Sequence, residues 1–178
     1  MPSPPPLILA NLGLLEQAAD LLGRVSDHAY GAGTAEAKPV GPHFRHVLEH
    51  YSCFLGGWAA GRVDYDARAR ESALETRRQS ALDRVRELAD GLAGLDASRL
   101  EDAVEVRLEC GLGGEEQQWS RSTVRRELQF LLSHTIHHYA LIGLLLARLG
   151  IDPGETFGVA PSTLKHWERN AACAPQPG

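Results

Sequence analysis

Apolar residues recur at alternating spacings of three and four along separate stretches of this chain, a periodicity that amphipathic α-helices satisfy and strands do not. Leu7, Ala10, Leu14, Ala18, Leu21 and Val25 mark a first helix over Leu7 to Val25, after an extended start rich in proline. The stretch from Gly31 to Gly41 breaks the pattern. A second helix is predicted from about Pro42, a residue suited to a first helical turn, to Ala60, through Val47, Leu48, Tyr51, Phe54 and Trp58. Gly61 to Asp66 reads as a turn. A charged, alanine-rich third helix is expected over Ala67 to Leu95, with Leu74, Ala81, Val85 and Leu88 on one stripe. The fourth, capped by Ser122 or Thr123, carries Val124, Leu128, Leu131, Leu132, Ile142, Leu145 and Leu146 and stops at Gly150.

Between the third and fourth helices the period changes to two. Val104, Val106 and Leu108 alternate with Glu105, Arg107 and Glu109, and Gly111, Gly113 and Gly114 follow before Gln117 to Trp119, so a small β-hairpin insertion is expected there. A short C-terminal helix is expected over Ser162 to Asn170. At 178 residues the chain has the length of one domain with a sizeable core, so residues 1–178 are read as a single, mostly α domain. Four long amphipathic helices with one minor strand pair point to a four-helix bundle.

The formal net charge of −5, with 18 Lys and Arg scattered along the chain, supplies no basic patch of the kind that grips a phosphate backbone. Nucleic acid is not an expected partner. Cys53, Cys110 and Cys173 have no C-x-x-C spacing, which suits neither a disulfide framework nor a zinc ribbon and fits a reducing compartment. No positive charge precedes Leu7, and the apolar run from Tyr139 to Ala147 stops at Arg148, short of the roughly 18 residues of a membrane span. The expectation is a cytoplasmic protein without a membrane segment.

Six of the eight histidines fall in two short segments: His43, His46 and His50 on the second helix, and His134, His137 and His138 on the fourth. At about 100° per residue, the first three share an arc of about 60°. His134 and His138, four residues apart, stack on one face, which lets two helical imidazoles bind one ion, while His137 points elsewhere. Several imidazoles facing a bundle interior need partners, because each lost hydrogen bond is worth about 1–3 kcal/mol. A shared metal supplies one, with two ligands from H-x-x-x-H and a third from the facing helix leaving a coordination position open. No glutamate is followed by histidine three residues later, and H-E-x-x-H is absent, so neither the diiron-bundle nor the zinc-protease signature is present.

The segments Phe44-Arg45-His46-Val47-Leu48-Glu49-His50 and Ser133-His134-Thr135-Ile136-His137-His138 resemble the two metal-bearing segments of DinB-like proteins. Phe157 to Thr163 and Asp64 to Arg70 look like parts of a bacterial subgroup of that superfamily. The resemblance covers roughly Leu7 to Leu149. It implies a DinB-like four-helix bundle and one divalent metal ion, zinc, nickel or iron, held by His50, His134 and His138; His46 and His43 depart from the family pattern and stay as alternative ligands on the second helix. It also implies a metal-dependent enzyme acting on a small molecule, a hydrolase or a transferase of low-molecular-weight thiols. The alternative is a non-catalytic metal-binding or interaction protein, a homodimer among its forms, in which the ion locks two helices together. Ligand histidines usually hand their second N–H to a carboxylate or carbonyl, and Glu127 and Glu49 are the candidates by position. Arg68, Arg70 and Tyr65 are candidates for binding an anionic substrate, since a guanidinium pairs with carboxylates in two-point fashion.

Overall fold

The computed structural model describes residues 4–31, 39–109 and 119–172. They are mostly helical, with one small sheet: α1 (Pro6–Arg24), α2 (Asp27–Gly31), α3 (Gly41–Gly57), β1 (Arg62–Asp64), α4 (Ser72–Thr76), α5 (Arg78–Ala93), β2 (Ala103–Arg107), β3 (Ser120–Thr123), α6 (Val124–Arg148) and α7 (Pro161–Ala172). Proline in the first turn starts α1, where its fixed φ fits and its missing N–H is no loss. Thr123 caps α6, its side chain accepting from the Arg126 amide at 3.2 Å. The C-terminal helix runs a little past its expected ends.

The apolar stripes meet as their spacing requires. α1 packs against α5 and α6, and α3 packs against the same two helices. Leu15, Leu21, Leu22, Leu48, Phe44, Phe54, Leu128 and Leu131 are completely buried in this core, each such side chain contributing about 1.5–3 kcal/mol by leaving water. A buried polar network ties three helices together at its centre. Tyr51 on α3 donates to Asn11 Oδ1 at 2.8 Å, Asn11 donates to the Leu128 carbonyl at 3.2 Å, and Thr135 on α6 donates to the Tyr51 hydroxyl at 3.4 Å.

Two expectations are corrected. The expected third helix does not run unbroken from Ala67. Residues 67–71 are non-helical, with Arg70 at φ 52°, and α4 is separated from α5 by Arg77 in an extended conformation at φ −117°, ψ 105°. In a continuous helix the Leu74 carbonyl would accept from the amide of residue 78; here it accepts from the buried Tyr30 hydroxyl instead. Arg78 meanwhile reaches back to the Leu22 carbonyl at 2.6 Å and to Asp27 at 2.7 Å. Tertiary partners outcompete the helix at that joint.

The second correction concerns the expected turn at Gly61 to Asp66, which contains a strand. The sheet has order β1-β2-β3, with β1 parallel to β2 (Val63 opposite Val106) and β2 antiparallel to β3 (Val104 opposite Ser122). β2 covers the expected first arm of the hairpin, but the strand paired with it is Ser120–Thr123 rather than Gln117 to Trp119; Cys110, Gly111, Gly113, Gly114 and Gln117 lie outside the described residues, as does Cys173. Gly61, at φ 75°, turns the chain after α3 so that Val63 points inward and is fully buried. Three residues are too few to display an alternating pattern.

Among the described residues α6 is the helix long and apolar enough to cross a membrane, with a mean hydropathy of 1.4 over its best 18 residues. Here it is the helix that carries the second histidine pair and packs on α1 and α3.

Candidate metal centre

The histidines are brought together by the crossing of α3 and α6. Gly41, at the first turn of α3, abuts the α4 backbone so closely that a Cβ there would stand 1.9 Å from the Glu75 carbonyl oxygen. Tyr51 and Thr135, which touch each other in the core, each directly follow a histidine, His50 on α3 and His134 on α6. The buried network therefore sets the two histidine-bearing faces in register.

His46, His50, His134 and His138 form a closed ring of imidazoles. Centroid separations are 4.4 Å from His46 to His50, 4.5 Å from His50 to His134, 4.7 Å from His134 to His138 and 4.6 Å from His138 to His46. Within it, one ring nitrogen each of His46, His134 and His138 lie within 4.8 Å of one another. His43 joins from the next turn of α3, its Nδ1 3.0 Å from Nδ1 of His138.

His50 is placed differently from its expected role. Its Nδ1 donates to the His46 carbonyl at 2.7 Å, and its Nε2 accepts from the Arg68 guanidinium at 3.0 Å. A carbonyl only accepts and a guanidinium only donates, so both ring nitrogens are committed and the ring is neutral. His46 is the α3 imidazole whose nitrogen stands with those of the α6 pair. The two imidazoles lie four residues apart on one face, and the crossing with α6 sets which of them stands with the α6 pair.

Burial keeps the cluster unprotonated. It lowers His46 to about 3, helped by the neighbouring His50, and lowers His138 to about 3, helped by His134. His50 falls to about 4 for the same leading reason, and His134 is lowered too. Neutral imidazole is the ligand form.

The supporting residues divide in an unexpected way. Glu127 is buried and touches no imidazole among its hydrogen-bond partners; it accepts from Tyr65 at 2.8 Å and from Ser122 at 2.5 Å. It reaches the cluster only through the Tyr65 ring, which stacks on His50 with centroids 5.5 Å apart. Glu49, also buried, accepts from the Glu71 amide at 2.7 Å and so pins the 67–71 segment that carries Arg68 over His50. Arg70 is exposed, as is His137, and His166 bonds to Asn170 at 3.0 Å far along the chain. Phe130, which the sequence reading did not single out, stacks on His134 at 5.3 Å; its position one turn before His134 is the signal that marks it. Cys53 lines a cavity beside this site, and burial raises its thiol to about 11, so it is protonated at neutral pH.

A divalent metal fits this arrangement on an observation independent of family. Nε2 of His134 is buried with no hydrogen-bond partner, an arrangement costing about 1–3 kcal/mol unless something binds there. Three neutral imidazoles are a donor set that suits zinc, nickel or iron. One nitrogen of each lies within 4.8 Å of the other two, a spacing of the order that ligands of a single ion require.

No family model matches the chain, and no solved structure matches it. Among curated proteins, FK506-binding protein 5 of Rhizopus delemar is 30% identical over 104 residues, which are 58% of this chain and 27% of that protein. The chain thus spans about a quarter of the length of the curated relative it matches.

Proposed function

We propose that the chain binds one divalent transition-metal ion through His46, His134 and His138, and that it is a metal-dependent enzyme of the DinB-like kind. Its reaction would be hydrolysis or the transfer of a low-molecular-weight thiol to a small molecule in the cytoplasm. The observation that carries this reading is the convergence of three neutral ring nitrogens within 4.8 Å, one of them buried and unpartnered. The four long helices α1, α3, α5 and α6, packed as two pairs across one core, support a DinB-like four-helix bundle. The resemblance points to His50 as the ligand on α3, whereas proximity favours His46. When bound, such an ion is a Lewis acid that lowers the pKa of a water or thiol beside it. Three ligands, with no fourth grouped with them among the described residues, favour an open position over a closed structural shell.

The chain's own residues would hold that centre neutral and flank it with aromatic rings. Phe130 and Tyr65 shield His134 and His50 on one side, and Glu49 holds the Arg68 segment on the other. FK506 binding belongs to the name of the Rhizopus protein, and no feature of the histidine cluster carries it to this chain.

The test is metal content per chain of protein purified without an affinity tag, for the parent and for His46→Ala, His50→Ala, His134→Ala and His138→Ala. Loss in the first, third and fourth variants is expected. Full occupancy in all four would sink the site, and loss in His50→Ala with retention in His46→Ala would move the α3 ligand by one turn.

A further inference from the structure

Between α3, β1 and α5 lies a cavity of about 330 Å³ whose wall includes Arg62, Arg68 and Arg84 together with Glu49, Asp64 and Glu71, and which meets the histidine ring through Arg68. Its size is that of a pocket for a small molecule, at the lower end of the roughly 300–1,000 Å³ usual for ligand sites. Gly57 keeps its floor close, because a Cβ there would meet the Arg62 carbonyl oxygen at 2.1 Å.

The charges of this wall are ion-paired except at Arg68 and at Glu49, whose carboxylate accepts a backbone amide. Arg84 binds Glu71 at 3.1 Å and Glu87 at 3.0 Å, Arg62 pairs with Glu105 at 3.3 Å, Asp64 is bound by Arg107, and Glu49 accepts the Glu71 amide. Arg68, half-buried, has no carboxylate within ion-pairing distance among the described residues, and the partner it does have is Nε2 of the neutral His50. A partly buried guanidinium whose five donors meet one neutral acceptor leaves most of its hydrogen-bonding capacity unused. His50 in turn is part of the imidazole ring, 4.5 Å from His134 and 4.4 Å from His46 between centroids.

We infer that the cavity is the substrate pocket of the metal centre and that Arg68 is its receptor for a substrate carboxylate, so that the substrates are small carboxylic acids. The inference rests on the metal reading above for its chemistry, though the Arg68 subsite exists without the ion. A planar carboxylate takes two parallel N–H bonds from a guanidinium, and bound here it would lie one imidazole away from the reacting centre. Glu49 is a positioning residue for this subsite, because its bond to the Glu71 amide holds the segment on which Arg68 sits.

The experiment is calorimetric titration of the full chain with propionate, and separately with inorganic phosphate, for the parent, Arg68→Lys and Arg68→Gln, each with and without stoichiometric zinc. The parent should bind propionate more tightly than phosphate. Arg68→Gln should lose at least tenfold in propionate affinity, and Arg68→Lys, which keeps the charge but not the fork, should fall between them. Zinc per chain should be the same in all three. Undiminished propionate binding by Arg68→Gln overturns the proposal, and so does a preference for phosphate. A parent that takes up no zinc defeats the metal reading, while Arg68-dependent propionate binding in the zinc-free arm still decides this one.

Discussion

The Nδ1 atoms of His43 and His138 stand 3.0 Å apart across the α3–α6 interface. Two ring nitrogens share a hydrogen bond only when one carries the proton and the other offers its lone pair. With His138 as donor, its Nε2 is left as the lone pair for a metal, and His43 fixes both tautomer and ring orientation. His43→Ala should therefore weaken zinc binding by roughly 10–100-fold without abolishing it. Competition against a chromophoric chelator reads this directly, and an unchanged affinity would show that α6 alone orients His138.

Tyr51 links Asn11 and Thr135 beneath the histidines. Tyr51→Phe keeps the ring and removes the hydroxyl, leaving Asn11 Oδ1 buried without its donor. Unfolding free energy should fall by about 1–3 kcal/mol, measured by urea denaturation of the metal-free protein. A loss under about 0.5 kcal/mol would mean that water replaces the hydroxyl.

Two glycines of similar helical setting should respond in opposite directions. A Cβ at Gly41 would stand 1.9 Å from the Glu75 carbonyl oxygen, whereas one at Gly13 in α1 meets nothing within 4 Å. Gly41→Ala must displace α3 or α4 and should destabilise by on the order of 3 kcal/mol. Gly13→Ala should stabilise by about 0.5–1 kcal/mol, because alanine loses less backbone entropy in a helix. Thermal midpoints of the two variants check both signs at once.

Acid should act on the metal-free protein through the cluster. His46, His50 and His138 have values near 3, 4 and 3 in the folded protein, chiefly because they are buried, against about 6.5 in an unfolded chain. Above pH 6.5 the rings are neutral in both states. Below it the unfolded chain takes up protons that the folded protein refuses until about pH 4 to 3, so stability is lost as the pH falls through that window. The thermal midpoint should drop from pH 7.5 to pH 5, and His46→Gln should flatten the drop. Equal slopes in the parent and His46→Gln would contradict it.

The four long helices were legible in the chain because burial of one face imposes a local period, and the period survives whatever the helix packs against. Thr123 as a cap and the Val104, Val106 alternation were legible for the same reason: the interactions that decide them lie within a few residues. The grouping of His43, His46 and His50 on one arc and of His134 and His138 on another was likewise legible as two histidine-bearing faces. What periodicity cannot encode is which groups meet across helices. The break between α4 and α5 depends on Tyr30 capturing the Leu74 carbonyl 44 residues away. Which of His46 and His50 stands with the α6 pair depends on where α3 crosses α6, since both occupy one arc of the same helix. Glu127 meets Tyr65 rather than an imidazole, and Arg68 reaches His50 only because Glu49 pins the Glu71 amide. The sequence by itself therefore determined the helical faces and the clustering of histidines on two of them. Tertiary structure alone decided which α3 imidazole stands with the α6 pair, the strand β1 and the arginine beside the cluster, because each depends on a contact between segments that no local spacing records.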